Sequence, residues 1–311
     1  MVHPFSLREV SLNFFKPADW TVQGYLGQQK KRVEARLAQL PLGSGKSTKA
    51  KEAMVYALQT PGKRFRPLLT IACADIYRMG HLDLVLDAAV AVECIHTSSL
   101  LFDDLPNMDD AKMRRGRATT HTIYGEDQAI LAGMSLIGEA NMLLAGQFKD
   151  RKSQLARKLE CVHVLNASYA IEGLSGGQSD DLLNKASLSF EELEYIHSKK
   201  TGSLFVACVE IAAILSDAKE QERKWLKSYA RSLGLAFQIQ DDLLDLLDSS
   251  ETGKDKGKDE GKTTFVTIFG GDECKRIYNR LIDVALENLV PFGSSANHLV
   301  ELTRIIQTRK F

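Results

Sequence analysis

Residues 96–121 read HTSSLLFDDLPNMDDAKMRRGRATTH, and four carboxylates in this stretch, Asp103, Asp104, Asp109 and Asp110, stand between an apolar helical run and the pair Arg114 and Arg115. Ionised carboxylates this close repel one another by an amount on the order of several kcal/mol. Such a cluster persists either as a well-solvated loop or as a site for hard cations. Mg²⁺ suits the second case, because it is held by one or two carboxylates plus the phosphate oxygens of a substrate.

Upstream of the acids, Leu84, Val85, Ala88, Val92 and Ile95 repeat with a helical period and predict a core helix from about residue 82 to 104. Its far end places His96 and Asp103 two turns apart on one face. Pro106 is expected to end the helix, which lets Asp109 curl back towards Asp103. Asp110 is expected to be solvated. The same acidic problem recurs at residues 233–250, LGLAFQIQDDLLDLLDSS, where Asp241 and Asp245 are spaced i,i+4 on one helical face, with Asp242 and Asp248 close by. Leu235, Ala236, Phe237 and Ile239 are too apolar for a solvated face, so these acids are expected at the rim of something buried. Two such rims facing one another would make a metal cage for a diphosphate.

DDLPNMD followed by RRG, paired with the distant DDLLD, resembles the two aspartate-rich motifs of the trans-isoprenyl diphosphate synthases, in the longer first-motif form of bacterial and plant-type members. The resemblance runs from PGKRFRP at 61–67 to the charged glycine-rich GKDKGKDEGKTTF at 253–265, and it is most like bacterial geranylgeranyl diphosphate synthases of the carotenoid type. It implies an all-α fold, a single-domain bundle of ten or more helices around a central cavity. It also implies three Mg²⁺ ions per active site, with Asp103, Asp104, Asp109 and Asp241 as metal ligands. Asp103, Asp109, Asp241, Lys200 and Arg114 would be the catalytic set. Lys63, Arg66, His96 and Arg115 would hold isopentenyl diphosphate, while Arg114, Lys200, Thr201, Gln238 and Lys254 would meet the allylic diphosphate and its nascent cation. Lys258 and Lys262 follow Lys254 as further candidates. Gln178 and Asp181 match a GQxxD element that would support the site, and a plain turn is the other reading there.

Local chemistry agrees at several of these positions. PGKRFRP closes one helix and opens another with Pro67 expected at its first helical position, so Lys63 and Arg66 fall where backbone N–H groups favour an anion. Arg64 is expected to be solvent-exposed. Arginine forks at 114 and 115 suit phosphate oxygens. KKTGSL at 199–204 interrupts a helical pattern at Gly202; a break would free backbone carbonyls, and a helix start capped by Thr201 is the plainer alternative. Ser98 and Ser99 are small, so the pocket floor below Asp103 is expected to be open and the main product to be geranylgeranyl diphosphate, C20, ahead of farnesyl diphosphate. The departing diphosphate is expected to take the proton, with no protein base.

Composition excludes other classes. Lysine plus arginine equal aspartate plus glutamate at 40 each, leaving no global field for nucleic acid or an anionic membrane. Five scattered cysteines, Cys73, Cys94, Cys161, Cys208 and Cys274, fit reduced thiols in a cytoplasmic protein better than a disulfide framework or a zinc site. The start MVHPFSLREVSLNFF meets charge too early for a secretory signal, and the run Leu204–Leu215 is too short to span a bilayer, so no stable membrane insertion is expected. One domain over residues 1–311 is expected, with 1–20 irregular, residues 23–40 a first amphipathic helix, 126–148 and 153–172 further core helices, and a homodimer as the assembly. GSGKST at 43–48 lacks the leading glycine of a nucleotide-binding P-loop, Leu40 standing there, and reads as a flexible loop. A terpene cyclase would lack the second diphosphate site, and a non-catalytic synthase subunit would lack an aspartate motif.

Overall fold

A core helix with a polar stripe organises the molecule. The computed structural model describes residues 22–40, 46–80, 82–146, 152–183, 188–245 and 263–307. Within it α4 (Asp83–Asp103) is walled in by α1 (Val22–Ala38), α2 (Lys49–Leu58), α3 (Phe65–Asp75), α6 (Glu126–Ala145) and α10 (Ser203–Leu215). Small residues make this possible: Ala88, Ala89 and Ala91 are fully buried and let neighbouring helices approach, while Val85, Val92 and Ile95 fill the spaces between them. Both α4 and α6 are long and apolar enough to cross a membrane by length and composition. In α4 that apolar content lies in the core; α6, where a core helix is expected over 126–148, packs one face inward and keeps Ile130, Leu131, Met134 and Met142 exposed along its outer side.

Between α4 and α6 lie α5 (Thr120–Tyr124) and the only strands among the described residues, β1 (Met113–Arg114) and β2 (Arg117–Ala118). They pair antiparallel, Arg114 opposite Arg117. The two residues between them, Arg115 and Gly116, have φ of 53° and 73°. Positive φ at both central positions is the tight hairpin turn that matches strand twist, and it sends Arg114 and Arg115 in different directions.

The second half of the chain continues all-helical through α7 (Lys152–Tyr169), α8 (Leu174–Leu182), α9 (Phe190–His197), a π turn at Ser198–Gly202, α10, α11 (Glu220–Asp245), α12 (Phe265–Glu287), a 3-10 turn at Val290–Ala296 and α13 (Asn297–Gln307). One continuous hydrophobic cluster joins these helices to the first half. The outermost described helices are fastened together at Asp75 of α3. Tyr25 of α1 donates to it, His298 of α13 lies 2.9 Å from it, and the two rings stack with centroids 3.8 Å apart.

Of GSGKST, residues 43–45 lie outside the described residues, and Thr48 is the N-cap of α2, accepting from the Lys51 N–H at 3.2 Å. Residues 1–20, expected to be irregular, also lie outside them. All five cysteines are free and buried.

Candidate active site

The first acidic end forms where α4 stops. Asp104 is its C-cap, and Pro106 removes the next donor. The chain then turns back on itself: the Asp109 N–H donates to the Asp103 carbonyl at 2.9 Å, and the Ala111 N–H to the Asp104 carbonyl at 3.1 Å. Asp103 and Asp109 are thereby brought side by side. Burial lifts the Asp103 carboxyl to about 6, with the neighbouring Asp109 and Asp104 charges adding to the rise while Lys200 and Arg114 oppose it. Asp110 is exposed and paired with Lys112 at 2.6 Å, as a solvated acid should be. Asp104 is different. It is buried and accepts from Arg114 Nε at 2.6 Å, so two residues expected at the metal and at the allylic diphosphate are here bonded to each other. The bond uses Nε, and the two Nη groups of Arg114 are not consumed by it.

Opposite stands the π turn. An i→i+5 turn inserted in a helix shifts the register of the residues beyond it, and here it gives Lys199 and Lys200 different partners. Lys199 lies over the Tyr195 ring and pairs with Glu172, while Lys200 donates to Asp181 of α8 at 2.6 Å. Burial opposes the Lys200 charge, but Asp181, Asp103 and Asp109 more than offset it and lift its pKa above the ordinary lysine value. The close fit of α8 over the turn depends on Gly177, where a Cβ would stand 2.2 Å from the Lys200 backbone nitrogen. The GQxxD element is thus helical, with Asp181 as the partner of Lys200. Gln178, on the same side of α8, is buried with both amide atoms unpartnered.

Thr201 joins this cluster to the second acidic helix. Its hydroxyl donates to Gln238 Oε1 at 3.1 Å, and Gln238 Nε2 donates to Asp242 at 3.0 Å. Asp242 also accepts the Phe265 N–H at 3.0 Å, so this acid serves to seat the first turn of α12. Asp241, the neighbour predicted to be a metal ligand, is half-buried, and its charge reaches Arg66 on the far wall. Asp245 ends α11; Asp248, Lys254, Lys258 and Lys262 fall outside the described residues.

The expected second diphosphate site gathers around His96. Arg66 Nη1 lies 3.3 Å and Arg115 Nη2 3.5 Å from His96 Nε2. Burial, and then the charges of Arg66, Arg115, Arg114 and Arg64, hold the His96 pKa well below the usual histidine value, so the ring is neutral. Two guanidinium donors facing Nε2 make that atom the acceptor and put the proton on Nδ1. Lys63 is exposed in the turn before α3, which starts two residues earlier than expected, at Phe65, so Arg66 is its second residue and Pro67 its third and not its first. Arg64 is not solvent-exposed. It is 5% exposed and bonded to Glu93 at 2.8 Å, because a left-handed backbone at this residue turns its side chain inward. Nothing in PGKRFRP signals that turn; a lone glutamate inside the apolar run of α4 is the sign that a buried cation must meet it.

Ser98 also departs from expectation. It is 2% exposed and donates to the Gly133 carbonyl of α6 at 3.0 Å, so it lies in the α4–α6 seam and not on an open floor. Phe102 lies over the same glycine, whose Cβ would meet the ring at 2.7 Å. Ser99, about 100° further round and so nearer the His96–Asp103 face, remains half-buried.

Hard carboxylate oxygens of Asp103 and Asp109 on one side and Asp241 on the other are the donors Mg²⁺ takes. Among the described residues no three acid, histidine or cysteine side chains are gathered closely enough to hold an ion by themselves.

Comparison with known proteins gives the same reading. The polyprenyl synthetase profile matches residues 47–288. A geranylgeranyl diphosphate synthase of Cyanophora paradoxa is 38% identical over 290 residues, covering 92% of this chain and 95% of its own. A farnesyl diphosphate synthase of Bacillus subtilis is 35% identical over 289 residues, covering 92% of this chain and 97% of its own. The solved geranyltransferase of Helicobacter pylori, complexed with magnesium and isoprenyl diphosphate, superposes with a TM-score of 0.82 at 27% identity, over 94% of this chain and all of that one. With both aspartate motifs in place and the helical fold shared throughout, the chain belongs to the polyprenyl synthetase family and is a trans-prenyltransferase of the geranylgeranyl or farnesyl diphosphate synthase kind.

Proposed function

We propose that this head-to-tail prenyltransferase extends dimethylallyl, geranyl and farnesyl diphosphates with isopentenyl diphosphate and releases geranylgeranyl diphosphate as its main product. One observation carries the reading: Lys200 feels Asp103, Asp109 and Asp181, while the next residue, Thr201, is tied through Gln238 to the helix of Asp241. This supports a reading in which the two acidic ends border one space.

Asp103, Asp109 and Asp241 would hold three Mg²⁺, with Asp104 in reserve behind Arg114. When bound, these ions stabilise the negative charge that builds on the leaving diphosphate. Lys200 and the Nη groups of Arg114 add fixed positive charge on that side. Gln238 is oriented by Thr201 and Asp242 together, so the dipoles of Thr201 and Gln238 are set before any cation forms, and pre-set dipoles need no reorganisation during the reaction. Across the space Arg66, Arg115 and neutral His96, with exposed Lys63, meet the diphosphate of isopentenyl diphosphate. The proton lost after carbon–carbon bond formation passes to the departing diphosphate, so no side chain is assigned as base. Lys254 would add a phosphate contact from beyond α11.

Chain length follows from what borders the tail. Ser99 is small on the face that carries His96 and Asp103, and the Phe102 ring is accommodated over Gly133 of α6. Both support a C20 product. The outer side of α6 supports a homodimer: Met134 and Met142 are 60% and 59% exposed, and a contiguous apolar stripe of this kind marks a protein interface. Free buried thiols support a cytoplasmic location for an assembly that touches membranes only through its greasy product.

The test is incubation with Mg²⁺, isopentenyl diphosphate and each allylic primer, followed by sizing of the products. C20 from every primer is expected. Accumulation at C15 would overturn the chain-length reading, and no condensation would overturn the whole.

A further inference from the structure

We propose that Glu93 and Arg64 are positioning residues for the second diphosphate site, with Glu93 as the shared counter-charge of Arg64, Arg66 and Arg115. This rests on the reading of His96, Arg66 and Arg115 as the isopentenyl diphosphate site. Glu93 is 2% exposed inside α4, one turn before His96 and therefore on the same side of the helix. Its carboxylate accepts from Arg64 Nη1 at 2.8 Å. The other arm of that guanidinium donates to the Leu58 carbonyl at 2.7 Å and the Thr60 carbonyl at 3.1 Å. Leu58 ends α2, where helix carbonyls lack intrahelical partners. A single buried fork thus ties the end of α2, the start of α3 and the middle of α4.

The backbone bears this out. Arg64 is the N-cap of α3 with φ 52° and ψ 38°, a left-handed conformation that a side chain with a Cβ keeps only where its surroundings over-determine it. The fork supplies that constraint. Once Arg64 is fixed, the turn carrying Lys63 and the first turn carrying Arg66 have one position relative to His96. Arg115 closes the site from the hairpin: it reaches the Pro61 carbonyl at 3.5 Å, and a Cβ on Gly62 would stand 2.6 Å from its Nη1. Glu93 raises both Arg66 and Arg115 against the opposing effect of burial. Without that carboxylate the buried Arg64 guanidinium would lose its ion-pair partner and Arg66 and Arg115 part of the charge that offsets their burial, and a buried charge stripped of its partner is strongly destabilised.

The experiment compares wild type with Glu93→Gln by titration calorimetry, using isopentenyl diphosphate alone and then farnesyl thiodiphosphate with Mg²⁺. Isopentenyl diphosphate is expected to bind about tenfold more weakly or worse, a loss of about 1.4 kcal/mol, while the allylic analogue stays within about twofold. Arg64→Lys keeps the charge but cannot span three acceptors, and the same one-sided loss is expected of it. Equal weakening of both ligands, unchanged binding of isopentenyl diphosphate, or failure of both variants to fold would overturn the proposal and leave the pair a purely structural one. Turnover by wild type is measured in parallel: its absence would sink the functional reading, while the binding comparison still decides the positioning role.

Discussion

At Asp103, burial and function pull against each other. A carboxyl raised to about 6 must lose its proton before it can ligate a cation. Below that pH a proton competes with Mg²⁺, so the Mg²⁺ concentration for half-maximal activity is expected to rise as pH falls from 7.5 to 5.5, approaching about tenfold per unit at the acid end. A requirement that stays flat over that range would contradict it. The linkage has the opposite sign for the metal-free fold: with the folded pKa raised above 3.8, the contribution of Asp103 to stability is present below that value and lost as pH rises through about 6. Position 99 offers a second residue-level test. Ser99→Phe is expected to shift the main product from C20 to C15, seen by chromatographic sizing, whereas an aromatic at 98 has first to part α4 from α6; unchanged length at 99 would move chain-length control elsewhere. Asp103 stands out as an acid in an apolar helical frame, but the same frame misplaced Ser98, because a small serine on an apolar helix fits a helix seam as well as a pocket floor. The burial of Arg64 was not legible, since it depends on one left-handed residue that no local pattern announces.

The π turn does for the second wall what Pro106 does for the first: it interrupts a helix where side chains must converge. Glycine at 202 marks the break in the sequence, but the kind of break, and the crossing of α8 over it, come from tertiary packing. The crossing leaves no room at Gly177. Gly177→Ala must push α8 away from Lys200, at a cost on the order of 1–3 kcal/mol as for other overpacked sites. Activity is expected to fall about a hundredfold, as for displacement of a catalytic group by roughly 1 Å. Thermal melting and steady-state rates measure the two effects. A variant with a normal melting point and normal rate would show that the turn tolerates displacement. The hairpin was equally hidden: the resemblance divides Arg114 and Arg115 between two ligands, but nothing in RRGR announces the positive φ at Arg115 and Gly116 that turns them apart.

As a whole molecule the fold was legible through its helical periods and its paired acidic motifs, while the exposed stripe of α6 was not, since an apolar helix looks the same whether neighbours or a partner cover it. Met134→Glu places a charge in that stripe, and sedimentation is expected to show a shift from dimer to monomer. An unchanged mass would remove α6 from the interface. What holds the account together is a single space bordered by Asp103 and Asp109 on one wall and Asp241 on the other. The most direct measurement is a crystal structure with Mn²⁺ in place of Mg²⁺ and an unreactive allylic thiodiphosphate, with the ions located by anomalous scattering. The expected result is one diphosphate bridged by ions to Asp103, Asp109 and Asp241 together. Ions on one wall alone, with Asp241 turned to solvent and unliganded, would contradict the account.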